Sequence, residues 1–226
     1  MARLKIAQGD LTIELRFDHP DFILLQNQAN RFIHLAFPYL EVHGATAHDV
    51  TLGNAASVGD RFVNLMAPRI GAGIRLTAGK VDIGFNDVLR PKFPEIQALV
   101  LGAVQALNQI EHSSQTVAYA ATLNVHGVIE GVTAADYINK YFKQRPQGLG
   151  PDTGGALGFY FGAEGARALC SVIVDGSALV MNGIYMRISV AYDAKQISPD
   201  DMLKAGKQQL GKVITALDFS QSDLDL

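Results

Sequence analysis

Residues Gly73 to Phe85 have the sequence GIRLTAGKVDIGF, in which two runs of alternating apolar residues flank a short turn at Ala78-Gly79. Apolar residues stand at every second position on both sides of the turn, as in a strand with one buried face. A glycine in a short connection between two such runs is typical of a β-hairpin. Because a hairpin pairs its strands antiparallel, this stretch predicts an antiparallel sheet in place of the parallel sheet of βαβ units.

The rest of the chain contains further segments of this kind. A second hairpin is predicted around Asp175-Gly176-Ser177, between RALCSVIV and a long strand from Ala178 to Tyr192. Near the N-terminus, a Gln8-Gly9-Asp10 turn is predicted between a short strand and a strand over residues 11–17. Other strands are predicted within HDVTLG, RFVNLMA, TVAYAATLNVHGVIE and ALGFYF.

Helical spacing of apolar residues predicts about four helices. The first helix begins at Phe22 and ends before Pro38, and the second extends from Pro94 to Ile110. The third follows Thr133, and the fourth follows Ser198. Strands and helices in this order, joined by tight hairpins, predict an α+β fold. We expect one or more largely antiparallel, twisted sheets with the helices packed on them.

The 226 residues are predicted to form a single α+β domain, or two intimately packed halves with a boundary near 144–155. That segment contains GLGPDTGG, Gly148 to Gly155, which has the glycine content of a phosphate-binding loop. A nucleotide loop follows a buried strand and opens a helix, whereas this segment precedes the strand-like ALGFYF. We therefore interpret it as a surface connection, and we hypothesise that it orders when a partner binds.

Composition indicates a globular protein with a weakly charged surface, since 48% of the residues are apolar and only 18% are charged. Such a surface can be covered by another chain at little cost in ion desolvation, so we predict a homo-oligomer or a subunit of a protein complex. The longest apolar run is shorter than the ~18 residues of a membrane span, and no membrane association is expected. The single cysteine, Cys170, is typical of a reducing compartment and predicts a cytoplasmic protein.

Two motifs resemble a cofactor site or a metal site, but neither meets the requirements of that site. Gly206, Gly211 and Lys212 match most of the phosphate-loop pattern, but Val213 replaces the hydroxyl residue and the segment has a helical pattern. His43 and His48 are five residues apart with a glycine between them, which suits neither a helix face nor a strand face. The sequence therefore predicts neither a cofactor nor a metal.

A polar stripe within an otherwise apolar strand marks the candidate ligand site. Thr122, Asn124 and His126 share one strand face, with Asn182 and Arg187 as neighbours from the long strand. Such a face either meets solvent or lines a pocket.

A basic and aromatic cluster, Lys140, Lys143 and Arg145 around Tyr141 and Phe142, has the composition of a site for single-stranded nucleic acid. Nucleic-acid binding would require this cluster to join the basic side chains Arg31, Arg61, Arg69 and Arg90 in one patch. Three charges near a helix end are also the ordinary complement of a helix dipole.

No set of residues in the sequence specifies a reaction. The leading hypothesis is a non-enzymatic subunit or self-associating protein that acts through protein–protein contacts. The alternatives are a small-molecule-binding protein or enzyme whose site is assembled from distant strands, and a nucleic-acid-binding protein.

Overall fold

A nine-stranded antiparallel sheet is the framework of the protein. The computed structural model describes residues 3–53, 57–89, 92–141, 155–163 and 168–219. The strands are β1 (Leu4–Phe17), β2 (Val50–Gly53), β3 (Phe62–Ala67), β4 (Ala72–Leu76), β5 (Lys80–Phe85), β6 (Thr116–Ile129), β7 (Leu157–Ala163), β8 (Ala168–Gly176) and β9 (Ile184–Asp193). The helices are α1 (Phe22–Asn27), α2 (Ala29–Glu41), α3 (Phe93–Asn108), α4 (Ala134–Asn139) and α5 (Pro199–Ala216). The predicted α+β fold with an antiparallel sheet is confirmed.

The sheet consists of two halves with similar topology, one of five strands and one of four, which meet at β1 and β6. The strand order is β2-β3-β4-β5-β1-β6-β9-β8-β7, and the two 14-residue central strands pair along their length. In each half the chain forms the central strand and then one or two helices. It continues in an antiparallel meander that starts at the sheet edge and returns to the central strand, and it ends in a long helix. The chain crosses between these halves after α3. The predicted boundary near 144–155 lies mostly outside the described residues and stays a prediction.

The helices pack on one face of the sheet, which we call the covered face. Side chains alternate along each strand, and the covered face carries buried residues such as Ile13, Ile83 and Ile188. Helix α3 contacts β5 and α5, while α5 contacts β6 and β9. The opposite side chains, among them Thr12, Thr122 and Ser189, form what we call the open face, and they are only half-buried.

Strand β1 is continuous, so the predicted Gln8-Gly9-Asp10 turn is wrong. Gln8 pairs with His126 and Gly9 with Val125, and a β-bulge between Ile6 and Gln8 accommodates the irregularity. A Cβ at Gly9 would lie 3.0 Å from the backbone oxygen of Asn124. The glycine that resembles a turn residue therefore permits close approach of β6.

Two other element boundaries differ from the prediction. The helix expected from Phe22 is divided into α1 and α2 at Gln28, and α2 continues through Pro38 to Glu41. Strand β9 begins at Ile184, because residues 177–183 form a connection in which Asn182 has a φ of 55°. The Ser177 amide donates to the Gly183 carbonyl at 2.8 Å and closes this loop. The hairpin itself is confirmed.

Helix α5 confirms the prediction at its start. The Ser198 hydroxyl accepts a hydrogen bond from the Asp201 amide at 3.1 Å, and Pro199 occupies the first turn. Gly206 and Gly211 both lie inside this helix. Backbone amides there bond within the helix, which confirms that GKQQLGKV is not a phosphate loop. Within the described ranges, no helix is long and apolar enough to cross a membrane.

Candidate functional site

The predicted ligand residues Thr122, Asn124 and His126 all lie on the open face of β6, beside β9. Thr122 is opposite Ser189, Asn124 is opposite Arg187, and His126 is opposite Tyr185. The structure therefore brings Arg187 to this stripe as well. Asn182 is an exposed residue of the 177–183 loop and does not belong to the strand.

The Asn124 side chain is held from both ends. Its Nδ2 donates to Asp10 Oδ2 at 2.8 Å, and its Oδ1 accepts the Tyr185 hydroxyl at 2.9 Å. A carboxylate accepts and a phenol donates, so the two contacts define which way the amide points. Asn124 thus connects β1, β6 and β9 across the open face.

His126 and Ser177 form the one pair in this stripe with the composition of a nucleophile and base. Nδ1 of His126 lies 2.8 Å from the Ser177 hydroxyl, and the imidazole packs on Tyr185 with ring centroids 4.8 Å apart. The Ser177 oxygen also accepts the amides of Leu179 and Val180, at 3.1 and 2.9 Å. Because both lone pairs of the Ser177 oxygen accept amides, its proton is directed to Nδ1 of His126. These bonds fix the 177–183 loop to β6.

Hydroxyl side chains form a row across five neighbouring strands of the open face. Cross-strand pairing aligns the residues in the order Thr12, Thr122, Ser189, Ser171 and Tyr160. The Thr122 and Ser189 hydroxyls are 2.9 Å apart. The sequence does not reveal this row, because its members come from five strands and only the pairing register aligns them.

Four charged side chains on the open face of the other half, those of Glu14, Arg16, Lys80 and Asp82, form a network of ion pairs. The Lys80 ammonium lies 2.8 Å from Glu14 Oε1 and 2.9 Å from Asp82 Oδ1, while Arg16 binds the second oxygen of Glu14. Burial opposes the ionised form of Glu14, but hydrogen bonds from Lys80 and Arg16 lower the pKa of its carboxyl. The charges of these four side chains are therefore paired with one another.

The outer edge of β7 is the most apolar edge of the sheet. Its sequence, LGFYFGA, contains neither a charge nor a proline. Tyr160 is 76% exposed, and Leu169 on the neighbouring β8 is 60% exposed. In the part of the chain that the structure describes, no strand pairs with this outer edge. The opposite edge, β2, has only four residues.

Of the predicted nucleic-acid cluster, the structure describes Lys140 and Tyr141. The Lys140 ammonium lies over the rings of Tyr137 and Tyr141, 4.1 and 5.1 Å from their centroids, and 3.9 Å from Asp218. Lys143 and Arg145 lie outside the described residues, as does Arg90.

Of the other basic residues in that prediction, the structure describes Arg31, Arg61 and Arg69, and these lie toward the opposite end of the sheet. Helix α4, which precedes Lys140, packs on β8, whereas Arg61 directly precedes β3. These two strands are six positions apart in the sheet order, or roughly 29 Å at the usual strand spacing. The described members of the set therefore do not form one patch.

Neither a group of metal ligands among the described residues nor similarity to a known protein indicates a chemistry for the open face. Among the described residues, no three His, Cys, Asp or Glu side chains are grouped so as to hold a metal ion. No protein-family model matches the chain, and no curated protein matches it.

Proposed function

We propose that this protein acts without catalysis, as a self-associating protein in which two copies join through the outer edge of β7. The observation that carries the proposal is the seven-residue, uncharged strand with exposed aromatic side chains at the end of the sheet. An unpaired edge presents free amide and carbonyl groups to any strand that reaches it.

The composition of β7 favours pairing of its outer edge with another strand, because it lacks the features that protect an exposed edge from such pairing. Soluble proteins protect exposed edges with lysine, proline, bulges or very short strands. The β2 edge fits that description by its length, but β7 has none of these devices. Since β7 has no charge, two copies can approach without repulsion between like charges.

A two-fold axis at Tyr160 pairs β7 with itself, because Tyr160 is the middle residue of the strand. In this antiparallel register Tyr160 is opposite the partner's Tyr160, and Phe159 is opposite the partner's Phe161. Aromatic cross-strand pairs of this kind stabilise by about 0.5–1.5 kcal/mol each. Tyr160 would meet its counterpart on the open face, and the phenylalanines would meet on the covered face.

The polar side chains of the open face support a structural role. Asn124 is engaged at both ends, and the Ser177 oxygen accepts two amides while its proton is directed to His126. A nucleophile needs a lone pair that is free to attack, and a base needs a free nitrogen directed at the substrate. The bonds of Ser177 serve the 177–183 loop instead.

We also propose a cytoplasmic location, because the sequence has a single cysteine, Cys170, and therefore no intramolecular disulfide, as is usual in a reducing compartment. This thiol is fully buried, and burial raises its pKa to about 11, against a smaller lowering by a hydrogen bond with Gln209. A protonated, inaccessible thiol is unreactive. The dimer that we propose therefore depends on strand pairing and not on a disulfide.

Light scattering coupled to size exclusion tests the proposal. At high micromolar concentration we expect a mass of twice the 24.3 kDa of one chain. Tyr160→Lys places a charge at the two-fold axis and is expected to give the single-chain mass. The matched control, Thr51→Lys, places the same charge on the exposed β2 edge and should leave the dimer intact. A single-chain mass for the wild type, or a dimer of Tyr160→Lys, refutes the proposal.

Cysteine cross-linking tests the register. Two Tyr160→Cys copies would bring their thiols together at the axis, so mild oxidation should yield a covalent dimer. Leu179→Cys introduces an equally solvent-accessible thiol in the 177–183 loop and should stay uncoupled under the same conditions. Equal coupling of the two variants would show that the contact is random.

A further inference from the structure

A small apolar cavity lies beneath α5, next to Gly206. Its volume is about 30 Å³, and its walls include the side chains of Leu11, Ile13, Ile96, Ala121, Leu203 and Leu210. Gly206 is buried, yet a Cβ built on it would meet no atom within 4 Å. An apolar space of this size accepts about one methyl group and does not attract water.

Phe93 and Lys207 lie at the outer rim of this cavity. Both residues line the cavity, and both also line a shallow, solvent-open groove along the outer side of α5. The Lys207 ammonium lies 4.6 Å from the centroid of the Phe93 ring. Phe93 is half-buried and packs against the edge of the core, so its ring is the side chain that a ligand entering the cavity has to displace.

The groove is basic. It contains Lys204, Lys207 and Lys212, and its remaining lining residues are uncharged. Lys204 forms an ion pair with Asp200. Within the described ranges, neither Lys207 nor Lys212 has a carboxylate at ion-pair distance. The groove therefore presents two available ammonium groups beside an apolar cavity.

We propose that this groove binds a single-chain amphiphilic anion, such as a fatty acid. The carboxylate would lie between Lys207 and Lys212, and the apolar chain would displace the Phe93 ring and place its terminal methyl group beneath Gly206. Opposite charge attracts the head group, and burial of the terminal methyl group, together with the methylene groups that replace the displaced Phe93 ring, stabilises the chain. The inference is independent of the dimer that β7 is proposed to form.

Isothermal titration with decanoate tests the proposal. We expect saturable binding at one site per chain. Decyltrimethylammonium has the same chain and the opposite charge, and acetate has the same head group without the chain, so neither should bind. Absence of saturable decanoate binding, or equal binding of the cationic amphiphile, would refute the proposal.

Gly206→Ala tests the cavity without endangering the fold. The added methyl group fills the space that the ligand needs, and it also favours the helix, so the variant should be more stable than the wild type. We expect it to bind decanoate at least about tenfold more weakly. Unchanged affinity would show that the ligand chain does not enter the cavity.

Charge removal tests the head-group site. The double variant Lys207→Gln and Lys212→Gln should weaken decanoate binding by about tenfold or more. The matched control, Lys5→Gln with Lys195→Gln, removes two exposed lysines elsewhere and should bind like the wild type. An equal loss in both double variants would indicate net charge alone and would overturn the assignment.

Discussion

Replacing Asp21 with asparagine should destabilise the fold in a manner that depends on pH. Asp21 is a buried carboxylate, and it accepts the Leu24 amide at 2.9 Å as the N-cap of α1. Its second oxygen accepts the Ser113 amide at 2.6 Å, the Ser113 hydroxyl at 2.9 Å and the Ser114 amide at 3.1 Å. One side chain thus joins the start of α1 to the segment between α3 and β6.

The lowered pKa of Asp21 determines how much the ionised carboxylate contributes to the free energy of unfolding. Burial opposes ionisation, but the hydrogen bonds from Leu24, Ser113 and Ser114 outweigh it and lower the pKa from 3.8 to about 2. Each unit of pKa difference between the folded and unfolded states corresponds to about 1.36 kcal/mol. The ionised carboxylate therefore contributes roughly 2 kcal/mol to the free energy of unfolding at neutral pH. Asparagine can still cap α1, but its amide would direct hydrogens at the donors of Ser113 and Ser114.

The direction of the pH dependence of stability follows from the lowered pKa of Asp21. The contribution is fully present above the unfolded value of 3.8 and is lost as the pH falls toward about 2. We expect Asp21→Asn to reduce the free energy of unfolding by roughly 2–3 kcal/mol at neutral pH. Because the wild type loses its carboxylate in acid, the difference between the two proteins should narrow as the pH approaches 2.

Urea unfolding followed by circular dichroism, at several pH values, measures this difference. Asp60→Asn, at an exposed carboxylate, is the control and should change stability little at any pH. A difference between wild type and Asp21→Asn that stays constant from neutral pH to the acid limit would refute the reasoning. It would mean that asparagine disturbs packing and that the charge of Asp21 contributes nothing.

The remaining predictions concern two helix glycines, one strand glycine and the cysteine. Gly206→Ala should raise the free energy of unfolding by about 1 kcal/mol, whereas Gly102→Ala should lower it, because the new Cβ would stand within 2.4 Å of the Tyr39 ring. Gly127→Ala should cost roughly 2 kcal/mol or more, since its Cβ would lie 2.6 Å from the Lys5 carbonyl. Urea unfolding measures all three, and equal effects in both helices would contradict the packing argument. Iodoacetamide should label Cys170 only after unfolding, because burial raises its pKa to about 11; rapid labelling of the folded protein would contradict this.

The candidate site was only partly predictable. The alternation of polar and apolar residues along β6 is sufficient to place Thr122, Asn124 and His126 on one face, because side-chain direction in a strand has a period of two. Their partners Asp10, Ser177 and Tyr185 come from other strands or from a loop. No local pattern marks those residues, so only the pairing register could associate them with the stripe.

Local signals in the sequence determined the class of fold and many of its elements. The Ala78-Gly79 hairpin and the Ser198 cap of α5 depend on residues within one turn or one helical end, so short-range sequence is sufficient. Tertiary structure alone decided that Gly9 continues a strand, that β1 and β6 meet at the centre, and that β7 is left at the edge. These features depend on contacts between residues far apart in the chain, where the free energy of burial and pairing outweighs the local preference of a single residue.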